Sequence, residues 1–179
     1  MSQLYKTITP KIQQFIENQK MFFVATATAD SRINLSPKGM DSLRVVNPNR
    51  VIWLNLTGSG NETAAHVQEN PRMTLMFNSF DDKPLILRLY GTAKTIHDDD
   101  TDWKLFFPLF PSHPGARQIF DLKIDLVQTS CGTAVPLYEF VGEREQLNNW
   151  AEKKGKDGIK AYWKEKNNVS LDGKPTRFS

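Results

Sequence analysis

The apolar positions fall into short periodic runs. Ile12, Phe15 and Ile16 keep helical spacing after Thr9-Pro10, which predicts a first helix opened by a proline. Residues 21–28, MFFVATAT, then read as a strand, and Asp30-Ser31 turns the chain into a second over 33–36. Pro48 and Asn49 mark another turn. The run VIWLNLT at 51–57 is apolar without alternation, the signature of a strand buried on both faces. A short helix over 61–70 is stopped by Pro71. Strands over 72–79 and 84–96 follow, joined across Asp81-Asp82. In the second of these, Leu85, Leu87 and Leu89 alternate with Ile86, Arg88 and Tyr90, so one residue of the other row is charged. An acidic entry at 98–102 suits the positive start of a helix over 103–107. A loop spaced by Pro108, Pro111 and Pro114 leads to a last strand over 120–129, where Leu122, Ile124 and Leu126 alternate. Six strands with short connections and few helices predict a mainly β protein, an antiparallel sheet or barrel rather than a doubly wound parallel sheet.

From Gly142 the pattern becomes helical. Leu147, Trp150 and Ala151 form one apolar stripe and Ile159, Tyr162 and Trp163 another, separated by Gly155 and Gly158. Residues 169–179 read as a loose tail. The expected organisation is therefore a β domain over 1–140 with a helical appendage over 141–179 packed on it. A length of 179 residues with 39% hydrophobic and 24% charged positions fits one globular domain with a sizeable core. The net charge of +3 is mild, and no block of like charge makes nucleic acid a leading partner. Cys131 is the single cysteine, which excludes an intrachain disulfide and favours a reducing compartment; it is expected to be a small packed residue. No run approaches the roughly 20 apolar residues of a membrane span, so cytoplasm is the expected location.

The chemistry concentrates in the turn after residues 51–57. Gly58 and Gly60 permit unusual backbone angles, and Ser59 or Asn61 is placed to cap the helix that starts near Glu62. Backbone N–H groups at a helix start attract anions. The same residues also suit a plain tight connection. No lysine follows the glycines as in a P-loop, and the dinucleotide fingerprint spacing is missed. A phosphate needs cations as well, and Lys38, Arg44 and Arg88 are candidates on strand-like segments. His66, His97 and His113 match no metal-ligand spacing, and His66 is expected to cap or pack.

The stretches FVATAT, NLSPKGMDSLRVV, VIWLNLTGSGNETAAHVQENPRMTLMF and LILRLYGTA, with the later SCGTAVPLYEFVGERE, resemble the split-barrel flavoproteins related to pyridoxamine 5'-phosphate oxidase, in detail a bacterial subgroup. That resemblance implies a six-stranded antiparallel split barrel that forms a homodimer and binds FMN in clefts at the subunit interface. It implies that Ser36, Pro37 and Lys38 border the flavin ring, Lys38 also reaching the phosphate. Thr57, Gly58, Ser59, Gly60, Asn61 and Thr63 would form the rest of the phosphate site, with Arg88 as a further cation. The arginine and lysine common in the family's helix-opening turn are replaced here by Asn61, Glu62 and Thr63, so Glu62 must face outward or meet a cation such as Arg44 or Arg88. Residues 135–179 hold no counterpart of the arginine motif that grips pyridoxal substrates, and vitamin B6 oxidation is not expected. The resemblance points to an FMN-dependent oxidoreductase acting on a small substrate. The alternatives are a flavin or haem carrier without turnover, or an interaction module using the basic stretch 153–166. Glu152, Asp157 and Glu165 interrupt that basic character.

Overall fold

The computed structural model describes residues 2–178. Eight strands form one antiparallel sheet: β1 (Gln3–Tyr5), β2 (Phe22–Thr26), β3 (Asn34–Lys38), β4 (Leu43–Asn47), β5 (Arg50–Leu56), β6 (Arg72–Asn78), β7 (Ile86–Ile96) and β8 (Ala116–Ser130). Their spatial order is β3-β2-β6-β7-β8-β5-β4, with β1 added on β8. The end strands β3 and β4 do not meet, so the sheet curls into a split barrel without closing. Two of the eight strands are absent from the six read in the sequence. Only three residues long, β1 gives no countable alternation, and the pattern of β4 is broken by a bulge between Val45 and Asn47.

The long strands β7 and β8 form the hub. One edge of β8 pairs with β7 from Ile119 to Ser130, while its other edge carries β5 along its first half and β1 near its end. The pairing steps from Tyr90–Leu126 to Gly91–Ile124, so Asp125 is an unopposed bulge residue that bends β8 at that change of partner. Gly91 is required there, because a Cβ would lie 2.0 Å from the Lys123 carbonyl oxygen.

The expectation for residues 51–57 holds, since Val51, Ile52, Trp53 and Leu54 are all fully buried. Val51 and Trp53 face the main core with Ile12 and Ile16 of helix α1 (Pro10–Asn18). Ile52 and Leu54 face a second cluster with Phe106 of the short helix α3 (Thr101–Phe106) and Phe110 after it. Each such side chain contributes about 1.5–3 kcal/mol on burial, so β5 is held from both sides. Between β5 and β6 lies helix α2 (Glu62–Glu69). His66 packs on its inner face with Nδ1 3.1 Å from the Thr26 hydroxyl.

The last helix, α4 (Gln146–Lys166), is broken at Gly155, whose φ of 67° interrupts the helical backbone between the two apolar stripes. Trp150 and Tyr162 meet across the break with ring centroids 5.1 Å apart. The segment after it differs from the loose tail expected. Arg32 pairs with Asp172, Lys174 reaches Asp30 and Glu69, Arg177 reaches Asp99 and Asp100, and Phe178 packs 5.1 Å from Trp163. Its anchors are polar groups far away in sequence, which hydrophobic patterning does not register; Ser179 lies outside the described residues. Cys131 is likewise exposed rather than packed, because β8 ends at Ser130 and the chain continues as irregular surface backbone.

Candidate functional site

Strand β5 ends at Leu56, and the chain then turns through Thr57, Gly58, Ser59, Gly60 and Asn61 into α2. Asn61 occupies the cap position but makes no capping hydrogen bond; its side-chain amide donates to the Asn167 carbonyl at 3.5 Å. Neither Ser59 nor Asn61 therefore caps the helix as expected. Among the described residues, no protein acceptor takes the N–H groups of Ser59, Gly60, Asn61, Glu62 or Thr63. They border a cleft of about 260 Å³, shared with Asn34, Ser36 and Lys38 from β3, Asn55 from β5 and Arg117 from β8.

Arg117 owes its place to the sheet. The β5–β8 pairing jumps from Asn55–Gln118 to Leu56–Ala116, so Arg117 is the unopposed residue of a bulge that re-aims its side chain. It is buried, yet no carboxylate lies within ion-pair distance among the described residues. Its Nη1 donates to the Gly60 carbonyl at 3.1 Å and to Asn167 Oδ1 at 2.6 Å. Nε is buried without a partner, and the Nε–Nη2 edge, the side of a guanidinium that grips two oxygens at once, is unclaimed. Burial pushes the Arg117 pKa down to about 9.

Lys38 is the second cation. Its ammonium sits 5.5 Å from the Trp53 ring centroid and has no anionic partner among the described residues. Burial, aided by the nearby Arg117 charge, lowers its pKa to about 8. Two desolvated positive charges facing one small cleft carry a solvation cost that an anion there relieves. Arg117 and Lys38 stay positive at neutral pH.

The remaining sequence-derived site residues divide clearly. Ser36 lines the cleft with its hydroxyl buried and unpartnered, as do Gly58, Ser59, Gly60, Asn61 and Thr63. The Thr63 hydroxyl accepts from Asn34 Nδ2 at 3.0 Å. Thr57 lies behind the cleft, its hydroxyl donating to the Gly115 carbonyl and accepting from Trp163 Nε1, both at 2.8 Å. Pro37 faces a larger groove of about 1000 Å³ that Lys38 also borders, walled by Met40, Phe80, Tyr138 and Phe140. Arg88 does not join either space: it stands on the other row of β7 and donates to Ser130 at 3.3 Å. Glu62 meets neither Arg44 nor Arg88. Arg44 is paired with Asp41, and the Glu62 carboxylate accepts from the Leu171 N–H at 3.0 and 3.1 Å.

Nothing in the sequence pattern singles out Arg117, Asn34, Asn55 or Asn167. Arg117 leaves one trace, a charge inside RQIFDL just ahead of the last strand predicted from residue 120.

A family profile for pyridoxamine 5'-phosphate oxidase matches residues 8–131. A pyridoxamine 5'-phosphate oxidase family protein of Aspergillus flavus, ustO, is 35% identical over 96% of this chain and 76% of its own length. Among solved structures, a Lactobacillus delbrueckii protein proposed to be a pyridoxamine 5'-phosphate oxidase superposes with a TM-score of 0.56 at 23% identity, covering 69% of this chain and 94% of that one. An FAD-binding protein of Mesorhizobium loti gives 0.51 at 11% identity, covering 72% and 97%. At those identities the structural likeness concerns the fold, and it agrees with the split barrel seen here. With the profile spanning most of the sheet and a relative matched over nearly its whole length, this chain belongs to the pyridoxamine 5'-phosphate oxidase family.

Proposed function

We propose that the cleft receives the phosphate of FMN and that the protein is an FMN-dependent oxidoreductase acting on a small substrate. The observation that carries this is the pair of uncompensated cations, Lys38 and Arg117, facing the free N–H groups of the 58–63 turn. Two positive charges and a helix start match a monophosphate, whose charge approaches −2 at neutral pH. They supply from β3 and β8 what the turn itself lacks. The groove bordered by Pro37, Met40, Phe80, Tyr138 and Phe140 offers apolar walls for the flavin ring, with Lys38 at the junction. Bound there, the flavin would supply the hydride or electron chemistry. The chain's own part is to fix the phosphate through Arg117, Lys38 and the turn, and to seat the ring against the β3 backbone.

A homodimer is part of the proposal. Ile33 and Leu35 on the edge strand side, and Leu137, Tyr138 and Val141 in the segment after β8, expose apolar surface that a second copy would cover. Cytoplasmic location fits a chain with a lone cysteine; no helix among the described residues is long and apolar enough to cross a membrane.

The test is the visible spectrum of freshly purified protein, with FMN added if it is colourless. An absorption band at roughly 450 nm that dithionite bleaches supports the reading. Protein that takes up no FMN overturns it, and a bound flavin that no pyridine nucleotide or other donor reduces would favour a carrier over an enzyme.

A further inference from the structure

The C-terminal segment touches the cleft from behind, and one residue does most of it. Asn167, at the end of α4, is wholly buried. Its Oδ1 accepts from Arg117 Nη1 at 2.6 Å and its Nδ2 donates to the Gly58 carbonyl at 3.1 Å. Its own carbonyl accepts from Thr176 Oγ1 at 2.7 Å, tying it to the ordered tail.

These contacts have two consequences for the cleft. First, both hydrogens of Nη1 are committed, one to Asn167 and one to Gly60, so the guanidinium is fixed with its Nε–Nη2 edge free. Second, the carbonyls of Gly58 and Gly60 are drawn toward Asn167 and Arg117. In a trans peptide the following N–H points the opposite way, so the Ser59 N–H is turned away from Asn167. A neutral amide does this without cancelling the Arg117 charge; a carboxylate in its place would hold the guanidinium as firmly but neutralise it. Next to it, the Leu171 N–H occupies the Glu62 carboxylate, the one acidic group bordering the cleft among the described residues.

We propose that Asn167 is a positioning residue for the anion site: it orients Arg117 and the 58–63 turn toward a phosphate while leaving the positive charge intact. This rests on the reading of the cleft as the flavin phosphate site, and assigns to the C-terminal helix a role in the selection of phosphorylated over unphosphorylated flavin.

The experiment measures binding of FMN and of riboflavin, which differ only by the phosphate, to the wild-type chain and to Asn167→Asp and Asn167→Ala by calorimetry or flavin-fluorescence quenching, with thermal unfolding of each flavin-free protein. Asn167→Asp is expected to weaken FMN binding by roughly tenfold or more through neutralisation of Arg117, leaving riboflavin binding unchanged. Asn167→Ala is expected to lower the FMN-to-riboflavin preference by a smaller factor, since the cation is unfixed but uncancelled. Where the aspartate variant does not fold, the alanine variant alone decides the matter by the same ratio. A ratio unchanged in the folded variants, or both flavins weakened equally, overturns the proposal and reduces Asn167 to a packing role. A wild-type chain that binds both flavins equally overturns the phosphate reading itself, so the two failures are distinct.

Discussion

Replacing Lys38 by methionine is expected to stabilise the flavin-free protein while weakening FMN. The side chain makes no hydrogen bond or ion pair among the described residues, and its main polar contact is the Trp53 ring at 5.5 Å. Burial and the Arg117 charge lower its pKa from 10.5 to about 8, which corresponds to a penalty of about 3 kcal/mol on the charged form. Against this, the cation–π contact contributes about 1 kcal/mol, so Lys38→Met is expected to gain about 2 kcal/mol at pH 7. The sign with pH follows from a folded pKa below the unfolded one. The penalty is complete below about pH 8, fades between 8 and 10.5 as the folded form loses its proton ahead of the unfolded one, and is gone above that range. Urea unfolding of flavin-free wild type and variant at pH 7 and pH 10.5 reads the difference directly. Losing a charge-assisted contact to phosphate is expected to cost FMN about 1.5–3 kcal/mol and riboflavin nothing. A variant that is less stable at pH 7, or that weakens both flavins alike, would refute the idea that Lys38 is held uncompensated for an anion.

Three further outcomes are expected. FMN binding takes up protons above about pH 8, because phosphate restores the Lys38 proton and, nearer pH 9, that of Arg117, so affinity falls as pH rises through 8 to 10 and the calorimetric heat depends on the buffer's ionisation enthalpy. Gly91→Ala places a Cβ 2.0 Å from the Lys123 carbonyl and is expected to cost more than about 4 kcal/mol, read as loss of cooperative unfolding by circular dichroism. Glu62→Gln removes the acidic group at the cleft while keeping an acceptor for the Leu171 N–H, so stability should change by less than about 1 kcal/mol and FMN affinity should rise modestly.

The sequence made the front of this site legible and hid its back. Residues 51–57 announced β5 because an unbroken apolar run has few other uses, and the Gly58–Gly60 spacing marked the turn behind it. Lys38 was visible as a cation at a strand end. Arg117 was not, since its aim depends on a register shift between β5 and β8, strands about sixty residues apart in the chain. Pattern alone gives no position for an unopposed residue in a bulge. Arg88 illustrates the converse: its charge in an apolar strand drew notice, but pairing with β8 sets it beside Ser130. Asn167 and Leu171 were hidden for a third reason. Past the last apolar stripe the chain shows no periodicity, so nothing marks these two positions until the fold sets Asn167 beside Arg117 and Leu171 beside Glu62. Lys38 and Arg117 thus reach the cleft by tertiary placement from β3 and β8.

The most direct measurement is a paired titration of the dialysed wild-type protein with FMN and riboflavin at pH 7. Two uncompensated cations and a free helix start should make FMN bind at least about a hundredfold tighter, roughly 3 kcal/mol from the phosphate alone. Equal affinities, or no binding of FMN, would contradict the assignment of this cleft.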